Sequence, residues 1–173
     1  MAPVAVHLGQ AVITASTALV GGFNPDVETA IRNGFPKEFV YAIRLYREWA
    51  YWPDELLATR TVKRSVKYDA LKKLYRVTSL EADRLEEKVF EDYEAMSRWV
   101  STLDRVYVAP RSLLQPGDRY YVKVRAYSRT TKVPVILEYL LFFLSFKDFS
   151  TPWRYSPSFT PEGPPALSRA LVP

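Results

Sequence analysis

The side chains that most often carry out catalysis are scarce in this chain of 173 residues, which has no cysteine and a single histidine, His7. Thiol nucleophiles and thiolate metal sites are excluded. A multi-histidine metal centre needs several imidazoles, and a Ser-His-Asp triad would depend on this one. His7 lies in an alternating apolar run, which favours a solvent-facing strand residue. We therefore expect no catalytic residue, no metal site and no cofactor.

Acidic side chains are concentrated in one segment of the chain. They are Glu81, Asp83, Glu86, Glu87, Glu91, Asp92 and Glu94. Carboxylates could serve acid-base catalysis or bind Ca²⁺, but the segment lacks the twelve-residue calcium loop with its glycine. The six glycines of the chain match no phosphate loop, dinucleotide fingerprint or nucleophile elbow. We interpret the acidic residues as the solvated face of a helix.

Three large aromatic residues, Trp49, Tyr51 and Trp52, stand together before Pro53 at the end of a predicted strand. Such residues either cap one end of the core or form a binding hot spot, since Trp and Tyr bury a large area at low entropic cost. We favour the core interpretation. The group is nevertheless the best candidate interaction site in the sequence.

A basic cluster lies on a predicted strand and the turn after it, in a chain of net charge +5. It comprises Arg60, Lys63, Arg64, Lys67, Lys72 and Lys73. Because side chains alternate along a strand, Lys63 and Lys67 share one face while Arg60 and Arg64 share the other. The six charges cannot form the continuous basic stripe that nucleic acid requires, and we expect no nucleic-acid partner. Lys63 and Lys67 remain a weak basic binding candidate on a solvated strand face.

Alternating apolar residues predict that most of the chain is extended. The predicted strands cover residues 4–19 (interrupted near 9–10), 38–49, 57–68, 72–78, 105–108, 119–127 and 149–159, and we expect 105–108 to pair with 119–127. A short helix should begin after Asn24, and an amphipathic helix should cover 91–103. Residues 79–90 fit either a helix or a turn and short strand. Residues 134–146 fit either a buried helix or a buried strand.

Length and composition indicate one mainly β or α+β domain. Hydrophobic residues make up 48% of the chain and aromatic residues 14%, enough for a full core with packed strands. We predict an antiparallel, β-sandwich-like domain over residues 1–159 with two or three packed helices, followed by a Pro-rich C-terminal tail over 160–173. The longest apolar run, 135–146, is too short to cross a membrane.

Four stretches of the chain resemble, in their order and spacing, one bacterial family. They are Lys67-Tyr68-Asp69-Ala70-Leu71 with Tyr75-Arg76-Val77, the helix around Phe90 to Val100, the run from Asp118 to Arg125, and the run from Leu141 to Trp153. The family is catalogued as domain of unknown function 4390, and the resemblance spans residues 6–155. It implies an exported, envelope-associated protein, often encoded near a membrane sensor kinase related to nitrogen regulation. It implies no catalytic residue.

The resemblance and the residues together predict a periplasmic or otherwise extracytoplasmic protein. The sequence shows no secretory leader, so we expect the leader to be missing from it, and the Pro-rich tail departs from the family pattern. The predicted function is a non-catalytic protein-interaction domain, whose partner is a membrane sensor kinase, the envelope assembly machinery or copies of itself. An alternative is an apolar-ligand or lipid binder with a cavity lined by Phe142, Phe143 and Phe146. An enzyme of unrecognised type is the third hypothesis.

Overall fold

The protein is a two-layer sandwich of antiparallel sheets, which confirms the predicted fold class. The computed structural model describes residues 1–130 and 149–162. Within them the elements are β1 (Ala5–Leu8), β2 (Val12–Ala18), α1 (Pro25–Arg32), β3 (Lys37–Glu48), β4 (Glu55–Asp69), β5 (Leu74–Glu81), β6 (Arg84–Phe90), α2 (Tyr93–Ser101), β7 (Thr102–Pro110), β8 (Arg119–Thr130) and β9 (Arg154–Tyr155). Residues 134–146, for which we predicted a buried helix or strand, lie outside the described residues.

The larger sheet has the strand order β6-β5-β4-β3-β8-β9 and is built around β3. β3 pairs along its whole length with β8 and almost all of it with β4. As its alternation predicts, Phe39, Tyr41, Ile43 and Leu45 point to the inner face and are buried. The opposite side of this sheet, which carries Arg44 and Tyr46, is called the outer face below.

The smaller sheet has the order β1-β2-β7 and packs over the inner face of the larger one. The predicted pairing of residues 105–108 with 119–127 is wrong, because β7 pairs with β2 and β8 pairs with β3. The segment between β7 and β8, which contains a 3₁₀ turn at Arg111–Leu113, carries the chain from one sheet to the other. Alternation fixes which face of a strand is buried, but it carries no information about the neighbouring strand.

Residues 79–90 form a β-hairpin, so the acidic residues from Glu81 to Glu87 do not lie on a helix as we interpreted them. Glu81 pairs with Arg84 across a two-residue turn. Both turn residues, Ala82 and Asp83, have positive φ, 44° and 68°. This is the backbone geometry that a twisted two-residue hairpin requires.

Helix α1 begins after Asn24 as the sequence predicts, whereas α2 (Tyr93–Ser101) is two residues shorter at each end than the predicted 91–103. The Asn24 side chain accepts a hydrogen bond from Val27 N at 2.9 Å and caps α1, and Asp92 caps α2 by accepting from Ala95 N at 2.7 Å. Their apolar sides, with Ile31 on α1 and Met96 on α2, join the core between the sheets.

The C-terminal end of α2 is held by a charged residue buried in the sandwich, Arg64. Its guanidinium donates to the carbonyl oxygens of Trp99, Val100 (3.1 Å) and Thr102 (2.6 Å), and it lies 4.3 Å from the centre of the Trp99 ring. Tyr41 also donates to Val100 O, at 2.6 Å. Burial lowers the pKa of Arg64 from its usual value, but a guanidinium remains charged at neutral pH.

The last predicted strand, 149–159, is regular only at Arg154–Tyr155. On either side of β9, single bridges join Ser150 to Tyr127 and Phe159 to Tyr120. This segment therefore follows the edge of β8 without forming a continuous ladder.

Candidate functional site

The predicted aromatic site, Trp49, Tyr51 and Trp52, forms an exposed loop between β3 and β4, called the aromatic loop below. The exposed fractions are 43% for Trp49, 95% for Tyr51 and 77% for Trp52. The favoured interpretation, that these rings cap the core, is therefore wrong. Exposed rings grouped in one loop are unusual, because a folded chain gains free energy by burying such a large apolar area.

The base of the aromatic loop is fixed by Asp54. One oxygen of its carboxylate accepts a hydrogen bond from Trp49 N at 3.1 Å, and the other accepts from the Tyr121 hydroxyl at 2.8 Å. The Arg47 guanidinium lies 5.5 Å from the centre of the Trp49 ring. It also contacts the carboxylates of Glu55 (3.6 Å) and Asp118 (3.4 Å). The two most exposed rings thus project from a rigid base.

A second surface, which the sequence analysis missed, lies on the outer face of β3, β8 and β9. Three cationic groups surround one ring: Arg44, Lys123 and Arg125 lie 5.0, 5.1 and 4.7 Å from the centre of Trp153. We call these four residues the cation cluster. Arg44 and Lys123 are also direct cross-strand partners in the β3–β8 ladder.

Tyrosine rings connect the cation cluster to the aromatic loop. Tyr46 and Tyr121 stack with their centres 5.3 Å apart and their planes 4° from parallel, and Tyr155 lies 5.7 Å from Tyr121. Lys123 lies 4.3 Å from the centre of the Tyr46 ring. Partial burial alone would raise the pKa of Tyr46, but hydrogen bonds and positive charge from Lys123 and Arg44 outweigh it and lower that pKa.

The charge of the cation cluster is not balanced by carboxylates. Within the described residues, neither Arg44, Lys123 nor Arg125 forms an ion pair, and the Nε atoms of both arginines are buried without a hydrogen-bond partner. Four other arginines of the same sheet do contact carboxylates. These pairs are Arg47 with Glu55 and Asp118, Arg76 with Asp69 and Glu87, Arg119 with Glu48, and Arg129 with Glu38.

The cation cluster was missed because its signal depends on strand order. The alternation in β8 places Lys123 and Arg125 on one face, and the alternation in β3 places Arg44 on one face, but the sequence does not reveal that these strands are neighbours. Our incorrect pairing of β8 with residues 105–108 separated these residues.

The predicted split of the basic residues agrees with the structure. Lys63 and Lys67 are exposed on the outer face of β4, whereas Arg64 is buried on the inner face. Arg60 also points inward, where its guanidinium lies 5.2 Å from the Tyr107 ring. Lys63 pairs in register with Val40, and Val40 pairs with Tyr127, so Lys63 lies two strands from the strand that carries Lys123.

The single histidine does not form a catalytic triad. His7 Nε2 lies 3.1 Å from Ser16 Oγ, which donates to Asp104 Oδ1 at 3.4 Å and accepts from Arg105 N at 2.9 Å. In a triad the carboxylate orients the imidazole, but here it contacts the hydroxyl. Arg105 has a positive φ of 47° beside a register shift between β2 and β7. The hydroxyl thus ties β1 and β2 to an irregular part of β7.

Clefts open at the edges of the sandwich, and two of those lined by described residues are larger than 350 Å³. The larger, of about 650 Å³, lies between β1 and residues 156–160 and includes Val4, Val6 and Phe159 in its lining. The other, of about 390 Å³, is lined by polar residues including Glu81, whose carboxylate accepts from Tyr107 N at 3.2 Å. The cavity residues that we predicted for an apolar ligand, Phe142, Phe143 and Phe146, lie outside the described residues.

Two further features concern metals and membranes. In residues 1–130 and 149–162 there is no group of three or more His, Cys, Asp or Glu side chains arranged to hold a metal ion. No helix in the same ranges is long and apolar enough to cross a membrane.

Comparison with known proteins identifies the family of the chain and nothing beyond it. No curated protein and no solved structure matches. One family model, described as a domain of unknown function, matches residues 3–156, which include both sheets, the aromatic loop and the cation cluster. The chain therefore belongs to the domain-of-unknown-function family DUF4390.

Proposed function

We propose that this protein is a non-catalytic, extracytoplasmic protein-interaction domain that binds its partner through the aromatic loop. The observation that carries this proposal is the exposure of Trp49, Tyr51 and Trp52 on a loop whose base is fixed by Asp54. Tyr and Trp are the residues most enriched at binding hot spots, since they bury much area and lose little entropy. A fixed base reduces the cost of ordering the loop when the partner binds.

The charges around the aromatic loop favour a protein partner over a lipid surface. Within the described residues, the ion pairs and hydrogen bonds next to the loop or beneath it involve four carboxylates and two arginines. The carboxylates are those of Glu48, Asp54, Glu55 and Asp118, and the arginines are Arg47 and Arg119. A net negative rim repels anionic headgroups. In a protein interface the same rim would supply the polar contacts that surround a hot spot.

The family resemblance supports the location and the class of partner. It implies an exported protein encoded near a membrane sensor kinase, so we propose a sensor kinase or the envelope assembly machinery as the partner. A membrane-bound partner in the same compartment would hold the complex at the membrane.

The larger cleft favours a second candidate function, binding of an apolar ligand or lipid. Its volume of about 650 Å³ and its apolar lining residues Val4, Val6 and Phe159 are in the usual range for small-molecule pockets. Stoichiometric uptake of dodecanoate by delipidated protein, abolished by Val6→Asp, would support this candidate over the first.

The proposed function is tested by site-specific crosslinking in the native envelope. A photoreactive amino acid at Tyr51 should crosslink to one membrane protein, which mass spectrometry identifies. The purified pair is then titrated with the wild type, with Trp49→Ala/Trp52→Ala and with a control, Leu71→Ala/Leu85→Ala. The control also truncates two exposed apolar side chains, but at other places on the fold.

We expect the tryptophan double variant to bind at least about 30-fold more weakly, because a hot-spot residue contributes about 2 kcal/mol or more and 1.4 kcal/mol is a factor of ten. The control should bind like the wild type. Equal affinity of the wild type and the tryptophan variant, or crosslinking of the protein only to itself, would overturn the proposed function.

A further inference from the structure

We propose that the cation cluster of Arg44, Lys123 and Arg125 is a carboxylate-binding site that accepts an extended acidic segment of the partner protein. This inference rests on the proposed function and specifies a second contact of the same interface. Three cations around the Trp153 ring carry this inference, and none of them forms an ion pair with a carboxylate of the described residues.

The arrangement is electrostatically unfavourable for the isolated protein. Arg44 and Lys123 stand directly opposite each other on adjacent strands, and like charges in this position destabilise a sheet. Elsewhere on the same sheet, some arginines are relieved by carboxylates, as Arg76 is by Asp69 and Glu87. Like charges that face each other on the outer face of a sheet are a local conflict of the kind expected at a binding site.

The Trp153 ring prepares the cations for a ligand. A cation over an aromatic face is attracted by the negative charge of that face, and the ring restricts where the long side chain can go. A carboxylate accepts hydrogen bonds from the planar donor edge of an arginine with two oxygens at once.

The spacing of the cations matches an extended polypeptide. Lys123 and Arg125 are two residues apart on β8, and so about 7 Å apart along the strand. An acidic residue at every second position of an extended segment has the same spacing. The outer face of β8 from Tyr121 to Tyr127 is about 20 Å long, the length of six extended residues.

The same observations disfavour single-stranded nucleic acid, which also binds surfaces of mixed cations and aromatic rings. Nucleic-acid platforms present free ring faces on which bases stack. Here Tyr46 and Tyr121 stack on each other, and the Trp153 ring is already in contact with three cations.

The test measures binding of hexaglutamate to the purified protein by isothermal titration calorimetry, at low and at physiological ionic strength. The cluster variant is Lys123→Gln/Arg125→Gln. The matched control, Arg76→Gln/Lys88→Gln, removes one arginine and one lysine from the same sheet, but at residues that already have carboxylate partners. Thermal unfolding of each variant establishes that it is folded, and hexathymidylate is titrated as the competing ligand.

We expect saturable binding of hexaglutamate by the wild type, at least tenfold weaker binding by the cluster variant, and less than a threefold change in the control. An equal loss in both variants would show that only net charge matters and would overturn the proposal. Absence of saturable binding would overturn it as well, and tighter binding of hexathymidylate would assign the surface to nucleic acid. Hexaglutamate tests the cluster without the partner, so this failure is distinguishable from failure of the aromatic loop in the crosslinking experiment.

Discussion

Replacing the buried Arg64 with methionine should destabilise the protein far more than replacing any exposed arginine of the same sheet. Arg64 is 7% exposed and donates to three carbonyl oxygens at the end of α2, two of them at 3.1 and 2.6 Å. These are carbonyls for which the helix itself provides no donor. Methionine preserves most of the aliphatic stem but removes every donor.

The expected loss is about 3 kcal/mol of unfolding free energy. A buried carbonyl oxygen that is left without a donor costs about 1–3 kcal/mol, so the three carbonyls together cost about 3–9 kcal/mol. The lower end applies because Tyr41 still donates to Val100 O at 2.6 Å in the variant. For a chain of this size, about 3 kcal/mol corresponds to a decrease in Tm of about 6–12 °C.

The assay is urea unfolding followed by tryptophan fluorescence, with Arg76→Met as the control. The Arg76 side chain is 42% exposed and pairs with Glu87 at 3.6 Å, an ion pair that should contribute no more than about 1 kcal/mol. The midpoint for Arg64→Met should fall with an unchanged denaturant slope. A loss below about 1 kcal/mol, or one equal to that of Arg76→Met, would show that Arg64 does not hold the end of α2.

Two further predictions concern a close contact and a carboxylate. Gly22→Ala would place a Cβ 2.3 Å from Leu19 Cδ2 and 3.3 Å from Phe149 Cζ, so it should cost about 1–3 kcal/mol by urea unfolding. Added to a Leu19→Ala variant and compared with that variant alone, the same change should cost much less, and an equal cost in both backgrounds would contradict the clash. Hydrogen bonds from the backbone N–H groups of Lys72 and Leu71 lower the pKa of Asp69 below 3.8. Its contribution to stability is therefore present above pH 3.8 and lost as the pH falls through the lower folded value. An NMR titration of the Asp69 carboxyl should show this depressed pKa, and a midpoint at or above 3.8 would contradict it.

Local features of the fold were predictable because their causes lie within a few residues. The alternation in β3 predicts its buried face, and Asn24 marks the start of α1 through a side chain that accepts from a backbone N–H group. The family resemblance was likewise carried by short runs and is confirmed over residues 3–156.

Features that depend on distant residues were not predictable. The cation cluster requires β3, β8 and β9 to be neighbours, and the alternation of β8 is equally compatible with the pairing that we wrongly predicted. The exposure of Trp52 follows from the way Asp54 fixes the base of the aromatic loop through Tyr121, which is 67 residues away in the sequence. Side-chain type alone favoured the core, where most tryptophans are largely buried.

The aromatic loop and the cation cluster are parts of one continuous surface, and this continuity strengthens the case that they serve one partner. Asp54 binds Trp49 N on the loop and the Tyr121 hydroxyl on β8, and the Tyr121 ring stacks on Tyr46, over which Lys123 lies. Once a partner is anchored on the loop, its contact with the cluster becomes an intramolecular event, which needs only modest intrinsic affinity. A weak, salt-sensitive carboxylate site is therefore useful in this position, whereas the same site far from the loop would bind too weakly to select a partner.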